Sequence, residues 1–474
     1  MRNPWSFIAA LAIPFSIWAG RTAAADSSGI EITILLPLVM TGLALLVPVG
    51  LTLLVAGGLP PESARQATLT LLAALGLGIL AYWAVGFALH FGGIGLIDSR
   101  PGYNGLIWEW TALSERWGAG WGMVGLSGFG LQNAGATADA YLLFASRLPW
   151  IVTATLIPLL VLRGRAPAPV TLAAGLLLGG FLAPMAGNWS SGGGWLANLG
   201  VNLGLGHGYV DLGDAGPVFL VGAAAALAGI LVFVPRRPRM AAGEPVPLPE
   251  VHLPLLTATG AGLLLIGAVG WALANPRLDW QTIPPALVLV NVLLAGAGGA
   301  LVPSAYTWFV SGAISPLFAA RGLAAGVLVG LAAAGFIPPW AALVAGALSG
   351  LLAVLTAYVV EHLLRLDDPT GSVSVLALGT VLGLLAVALL ADGRYGQGWN
   401  GVGALTYLGV PGQGVSGLWP TAGFQSDWPG QVEAQLIGSA AYALVSFLVA
   451  TLVFWPLALL ARLWRDRGTV KRTE

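Results

Sequence analysis

The stretch DAGPVFLVGAAAALAG at Asp214–Gly229 is the main indicator of the fold, and DPTGSVSVLALGTVLG at Asp368–Gly383 resembles it weakly. Each stretch opens with an aspartate, Asp214 or Asp368, of the kind that caps a helix N-terminus by accepting backbone N–H hydrogen bonds. Each then continues with apolar residues interrupted by Gly and Ala, a composition typical of helices packed closely inside a membrane. Two similar helices in the two halves of one chain indicate an internal repeat with a pathway between the halves.

The centre of that pathway carries no polar pair. Eight residues past each aspartate is roughly 12 Å along a helix, which is near mid-depth in a hydrocarbon core about 30 Å thick. The residues at those places are Gly222 and Leu376. Neither side chain can donate or accept a proton, so the sequence predicts a mostly apolar conduit.

Composition places the chain among polytopic membrane proteins. It has 474 residues, of which 57% are hydrophobic and only 8% are charged, against about 25% charged in soluble domains. The formal net charge is zero, so nothing points to nucleic acid. Cysteine is absent, which excludes disulfides, thiolate metal sites and cysteine nucleophiles. The four histidines lie away from mid-depth, at His90, His207, His252 and His362.

The N-terminus is predicted to be a signal peptide over residues 1–25. Arg2 supplies a basic start, Phe7–Ala19 an apolar run, and Ala23–Ala25 a small-residue cleavage site. A retained first helix is the alternative, although the run is short for spanning a bilayer. A signal peptide would put the mature N-terminus outside, followed by a membrane domain over 26–463 and a short basic cytoplasmic tail over 464–474.

Windows of about 20 apolar residues predict eleven transmembrane helices. An outside N-terminus and an odd number of spans put the C-terminus in the cytoplasm. Most of the basic residues between spans then lie in predicted inner segments, as the positive-inside rule requires. Those spans are at about 31–57, 67–91, 140–162, 168–188, 214–235, 253–274, 284–309, 317–335, 338–363, 372–391 and 436–462.

Several strings, in this order and at this spacing, resemble the ammonium transporter/Rhesus family. The resemblance implies an all-α fold of eleven helices with an inverted five-helix repeat, assembled as a homotrimer with one pore in each subunit. It covers nearly the whole mature chain. The strings are VPVGLTLLVAGGLPPESARQ at Val47–Gln66, SGGGWLANLG at Ser191–Gly200, the stretch Asp214–Gly229, VNVLL at Val290–Leu294, GLAAGVLVG at Gly322–Gly330 and LRLDDP at Leu364–Pro369.

The pore histidines that the family carries are missing from this chain. In the family, one His lies eight residues after the fifth-helix Asp and its twin takes the matching place in the tenth helix. Counting from Asp214 and Asp368 gives Gly222 and Leu376. If Asp211 is the true counterpart, the fifth-helix position is Phe219, which is still not His. Proton-coupled transport through imidazole groups is therefore not expected.

The outer gate that the resemblance implies is also altered. Alignment on the basic turn after the third helix puts the family's gating Phe at Trp150, which is still aromatic. In GWALAN, Gly270–Asn275, the second gating Phe becomes Ala274. The Ser that recruits the cation becomes Leu278. The recruiting Trp falls at Ser191, although Trp189 is near enough to take its place if the loop shifts.

Arg147 lies about one turn outside Trp150, near the mouth of the implied pore. A guanidinium there would repel ammonium, more strongly as water is excluded. Alternatively, Arg147 pairs with Asp139, about two turns away on the same helix, or extends to the interface.

The sequence therefore favours an ammonium/ammonia transporter or channel of atypical mechanism in the plasma (inner) membrane. The alternatives are a non-transporting sensor, regulatory or structural protein of the same fold, and a channel for another small neutral solute. No metal-ligand spacing, nucleophile–base pair or phosphate loop is visible, so we expect neither an enzyme nor a bound cofactor. The double aspartate Asp367–Asp368 is a further candidate metal or proton site, although capping by Asp368 is the simpler explanation.

Overall fold

The computed structural model describes residues 28–235, 237 and 251–470. The signal peptide predicted over 1–25 and the last four residues of the predicted tail lie outside the described residues. Helix is the dominant structure throughout the described part.

Within that part, eleven helices are long and apolar enough to cross a membrane, as predicted. Their bounds differ from the predicted ones by a few residues at most ends. We number them as spans from first to eleventh in chain order: Ile34–Gly57, Pro61–Leu96, Ala138–Leu162, Ala168–Trp189, Gly216–Phe233, Pro254–Leu273, Pro285–Ser311, Pro316–Ala333, Pro339–Leu363, Ser372–Leu390 and Gly430–Ala461.

Two helices extend further than the apolar windows indicate. The second span begins at Pro61, because proline lacks the N–H that the first helical turn leaves unbonded. The last helix runs over Gly430–Val470, so the boundary predicted at residue 464 falls inside a helix. Hydropathy marks only the part of a helix in hydrocarbon, whereas the helix itself continues into polar surroundings until a breaker ends it.

The packing of the spans follows the predicted repeat of five. The second and third spans pack together, and so do the seventh and eighth. The third packs on the fifth, as the eighth packs on the tenth. The first and sixth spans meet closely: a Cβ built on Gly50 would lie 2.5 Å from the backbone N of Leu264, and one on Gly260 would lie 2.3 Å from that of Leu54. These glycines allow the two halves to approach backbone to backbone.

The fifth and tenth spans are matched in detail. Each begins with a short π-helical segment, Gly216–Leu220 or Ser372–Ala377. Each then continues as an α-helix of 13 residues, Val221–Phe233 or Leu378–Leu390. The two π-helical segments contact each other, so the predicted pathway between the halves has these segments at its centre.

Two long loops cover one side of the bundle, which we call the outer side after the predicted topology. The first loop contains the antiparallel strands β1 (Glu109–Thr111) and β2 (Gly122–Gly125), and the second contains β3 (Thr406–Tyr407) and β4 (Val410–Pro411). The second loop reaches back over the fifth span. There the side-chain amide of Asn400 donates hydrogen bonds of 2.9 Å to the carbonyls of His207 and Tyr209.

Candidate functional site

The N-terminus of the fifth span is capped by Asp211, so the cap predicted at Asp214 is wrong. The two carboxylate oxygens of Asp211 accept hydrogen bonds from the backbone amides of Ala215 at 2.9 Å and Gly216 at 2.8 Å. Asp214 has a φ of 55°, a left-handed backbone conformation that Asp tolerates better than most residues. Its carboxylate is engaged elsewhere.

Asp368 holds the equivalent position at the tenth span. One carboxylate oxygen accepts from the amide of Ser372 at 2.8 Å, and the other from the amides of Val373 and Ser374, both at 3.0 Å. Asp211 and Asp368 thus occupy matching places in the two halves. Each satisfies backbone donors that would otherwise be unpaired at a buried helix end.

This match changes the mid-depth register of the fifth span. Eight residues past Asp211 lies Phe219, whereas the same count from Asp368 gives Leu376. The predicted position Gly222 faces the third span instead, because a Cβ there would lie 2.9 Å from the Cδ1 atom of Ile157. Phe219 and Leu376 are 1% and 2% exposed, and they lie in the two π-helical segments that contact each other.

Arg147 pairs with Asp214 rather than with Asp139, and it does not extend to the interface. Its Nη1 atom donates to a carboxylate oxygen of Asp214, and both side chains are buried. The guanidinium also lies over two aromatic rings, 4.9 Å from the ring centroid of Trp150 and 5.6 Å from that of Phe91. Sequence spacing gave no indication of this pair, since its members lie on different elements.

Trp150 belongs to a buried aromatic cluster with Trp271 and Phe219. The ring centroids of Trp150 and Trp271 are 4.6 Å apart, and those of Trp271 and Phe219 are 5.4 Å apart. Both indoles donate to the carbonyl oxygen of Gly213, at 3.0 Å from Trp150 and 2.7 Å from Trp271. Ala274 is fully buried at the end of the sixth span, and the aromatic partner of Trp150 is Trp271.

An outer cavity of about 550 Å³ opens next to this cluster, within the range of small-molecule sites. Of its carboxylates, Asp214 pairs with Arg147, whereas Asp211 and Asp279 take part in no ion pair of the described residues. Burial, together with the charge of Asp214, raises the pKa of Asp211 to about 7, against the opposing hydrogen bonds from Gly216 and Ala215. Other polar residues at the cavity include Ser190, Ser191, Asn198, Tyr209, Asn275, Arg277, Gln397 and Asn400.

Arg277 links two loop segments at the rim of this cavity. Its Nε atom lies 3.1 Å from a carboxylate oxygen of Asp98, and its Nη1 atom donates to the carbonyl of Ser191. Although burial acts to raise it, the pKa of Asp98 falls to about 2 because Arg100 donates a hydrogen bond to it and Arg277 adds positive charge. Asp98 is therefore ionised at neutral pH, and it compensates the charge of Arg277.

The opposite side carries an ion-pair network that joins the halves. Asp367 accepts from Arg165, which follows the third span, at 2.7 Å and from Arg237, which follows the fifth, at 2.9 Å. Arg237 also lies 2.8 Å from Glu361. The double aspartate therefore divides its roles, with Asp367 holding arginines and Asp368 capping the tenth span.

Comparisons with known proteins agree with this architecture. "Ammonium transporter Amt2" of Archaeoglobus fulgidus is 28% identical over 323 residues, 68% of this chain and 63% of the relative. A putative ammonium transporter of Synechocystis sp. is 26% identical over 329 residues, 66% of each chain. The alignments thus span less than two thirds of the length of these curated relatives.

Solved structures with the same fold include a "Sensor Amt Protein" and Mep2 of Candida albicans. The first superposes with a TM-score of 0.69 at 20% identity, over 91% of this chain and 94% of that one. The second superposes with a TM-score of 0.67 at 20% identity, over 89% and 83%. The model of the Ammonium Transporter Family matches residues 35–467, nearly the whole described chain. The chain therefore belongs to the Ammonium Transporter Family.

Proposed function

We propose that the protein passes ammonia, gathered from ammonium at the outer side, across the membrane by an atypical mechanism. The observation that carries this proposal is the pair of matched segments capped by Asp211 and Asp368. They meet behind an outer cavity whose lining includes the exposed carboxylate of Asp279, which takes part in no ion pair of the described residues. Carboxylates attract ammonium, and an apolar interior disfavours its passage as a bare ion through the cost of desolvation.

The side chains past the cavity favour the neutral species. A bare cation leaving the cavity meets the buried Arg147–Asp214 pair, whose carboxylate is already engaged, so nothing there offsets the cost of removing its water. Phe219 and Leu376, at the matching positions of the two halves, cannot relay a proton. Neutral ammonia avoids both obstacles, so we expect electroneutral passage without coupling to protons.

The proposal also includes the location and orientation of the protein. The chain is a multi-pass protein of the plasma (inner) membrane, with its N-terminus outside and its C-terminus in the cytoplasm. The arginines Arg163, Arg165 and Arg237 on the side opposite the long loops support that orientation, because cytoplasmic segments of membrane proteins are enriched in Lys and Arg. A homotrimer is the assembly that the family resemblance implies.

The test is flux in proteoliposomes. An inward ammonium gradient should raise the internal pH faster than in empty vesicles, as entering ammonia takes up protons. The same vesicles on a supported membrane should give no ammonium-dependent current. A current that grows with ammonium would contradict electroneutral passage. An internal pH trace identical to that of empty vesicles would remove ammonia from the assignment.

A second candidate, a non-transporting sensor or regulatory protein, rests on one specific observation. The rings of Trp150, Trp271 and Phe219 and the side chain of Leu376 are each at most 2% exposed, so they fill the centre of the bundle. A sensor would show ammonium-dependent stabilisation in a thermal unfolding assay and no flux. If another small neutral solute stabilised the protein and also crossed the vesicle membrane through it, the result would favour a channel of different specificity.

A further inference from the structure

The contacts of Arg147 are those of a cation in a binding site. Its guanidinium is buried, pairs with the Asp214 carboxylate, and lies over the faces of Trp150 and Phe91 at 4.9 and 5.6 Å. A carboxylate combined with aromatic faces is a recurrent arrangement for binding organic cations in proteins. The three surrounding groups come from different parts of the chain, since Phe91 lies near the end of the second span, Trp150 in the third, and Asp214 before the fifth.

The hydrogen bonds of Arg147 are fewer than its shape allows. Its Nη1 atom donates to Asp214, whereas its Nε and Nη2 atoms are buried without a partner among the described residues. A buried arginine ordinarily donates several hydrogen bonds through the planar fork of its guanidinium. Charge and ring contacts therefore dominate here, so a smaller cation without the side-chain stem could replace the guanidinium.

We propose that Phe91, Trp150 and Asp214 form a binding site for a small guanidinium-type cation, which Arg147 occupies as a tethered ligand. Asp214 also lines the outer cavity, so a cation from the outer side reaches the site once the Arg147 side chain is removed. While Arg147 is in place, the site is closed to free cations. Cation binding at this site does not depend on whether ammonia crosses the protein.

Chemical rescue tests the proposal on the full-length protein in detergent. Arg147→Ala should lower the melting temperature, because Asp214 is left as a buried charge without its partner. Millimolar guanidinium chloride should then recover at least half of that loss and saturate, since a ligand that binds only the folded state stabilises it by mass action. Wild type should not respond, and equal concentrations of sodium chloride should not substitute.

Matched controls separate the site from general effects. In Arg147→Ala/Asp214→Asn the carboxylate is gone, so guanidinium should not raise the melting temperature. Arg100→Ala removes a guanidinium from a partly exposed pair with Asp98, and it should not respond either. Equal rescue in the double variant, or no rescue in Arg147→Ala, overturns the proposal.

A folding failure does not block the test. Arg147→Gln keeps much of the side chain's volume without its charge and provides a second variant for the same titration. If both variants aggregate, they are purified with and without millimolar guanidinium chloride. Folded protein only in its presence supports the cation site, and aggregation under both conditions contradicts it.

Discussion

The mid-depth register can be tested by placing two histidines in two alternative pairs of positions. The pair Phe219→His/Leu376→His follows the count from Asp211 and Asp368. The pair Gly222→His/Leu376→His follows the count from Asp214. We expect the first pair to fold and the second to be strongly destabilised, because the two fifth-span positions have different surroundings.

The expected losses in free energy of unfolding follow from the surroundings of the two fifth-span positions. A Cβ at Gly222 would lie 2.9 Å from the Cδ1 atom and 3.1 Å from the Cβ atom of Ile157, and 3.2 Å from the carbonyl oxygen of Ala154. Overpacking of this kind costs about 1–3 kcal/mol even for a few added atoms, and an imidazole ring adds more. At Phe219 one ring replaces a larger one, so the loss of apolar burial is about 1–2 kcal/mol. Desolvation of the imidazole nitrogens adds about 1–3 kcal/mol, a cost that the histidine at position 222 shares.

Thermal unfolding and flux in proteoliposomes are the assays. The Phe219→His/Leu376→His protein should melt clearly above the Gly222→His/Leu376→His protein. It should also gain an ammonium-dependent current, because paired imidazoles supply a route for protons. The single variant Leu376→His is the shared control. If the Gly222 pair is as stable as the Phe219 pair and is the one that gains current, the register counted from Asp211 is refuted.

Two further predictions concern shared and titrating groups. Trp150→Phe and Trp271→Phe should each leave the Gly213 carbonyl with one indole donor, whereas the double variant leaves it with none. In denaturant unfolding, the double variant should therefore lose about 1–2 kcal/mol more free energy of unfolding than the sum of the two single variants. Additive losses would contradict the shared acceptor. Burial raises the pKa of Asp427 from 3.8 to about 6, opposed by the hydrogen bond from Tyr407. Because folding raises this pKa, the stabilisation from Asp427 is complete below the unfolded pKa and is lost as pH rises through the folded pKa. Between these two pKa values, the melting temperature of the wild type should therefore fall more than that of Asp427→Asn. Equal slopes of melting temperature against pH would show that this group does not contribute.

Much of the fold was predictable because its signals are local in the sequence. Eleven apolar stretches appear as eleven spans. A Gly- and Ala-rich composition is typical of close helix contact, and the structure places Gly50 and Gly260 where the first and sixth spans meet. The string around Asp368 also carries its function locally, since the amides that it caps follow within six residues.

The details of the candidate site were less predictable. Asp211 and Asp214 both precede the fifth span, and only the backbone conformation decides which carboxylate turns toward the helix amides. Trp271 stands inside the string GWALAN, three residues before Ala274, the position that the family resemblance aligns with the second gating Phe. Its role depends on the angle at which the third and sixth spans meet, which sequence spacing does not encode.

Eleven membrane-spanning helices in the described part of the chain, and their repeated arrangement, follow from the amino-acid sequence alone. The reason is that a bilayer of fixed thickness dictates the length and polarity of every span, and unpaired backbone groups cannot remain in hydrocarbon. The pairing of Arg147 with Asp214, with Trp150 beside them, depends instead on how the spans pack. These side chains come from separate elements. Because they are buried, the energy of the charged groups depends on which neighbours the packing places beside them.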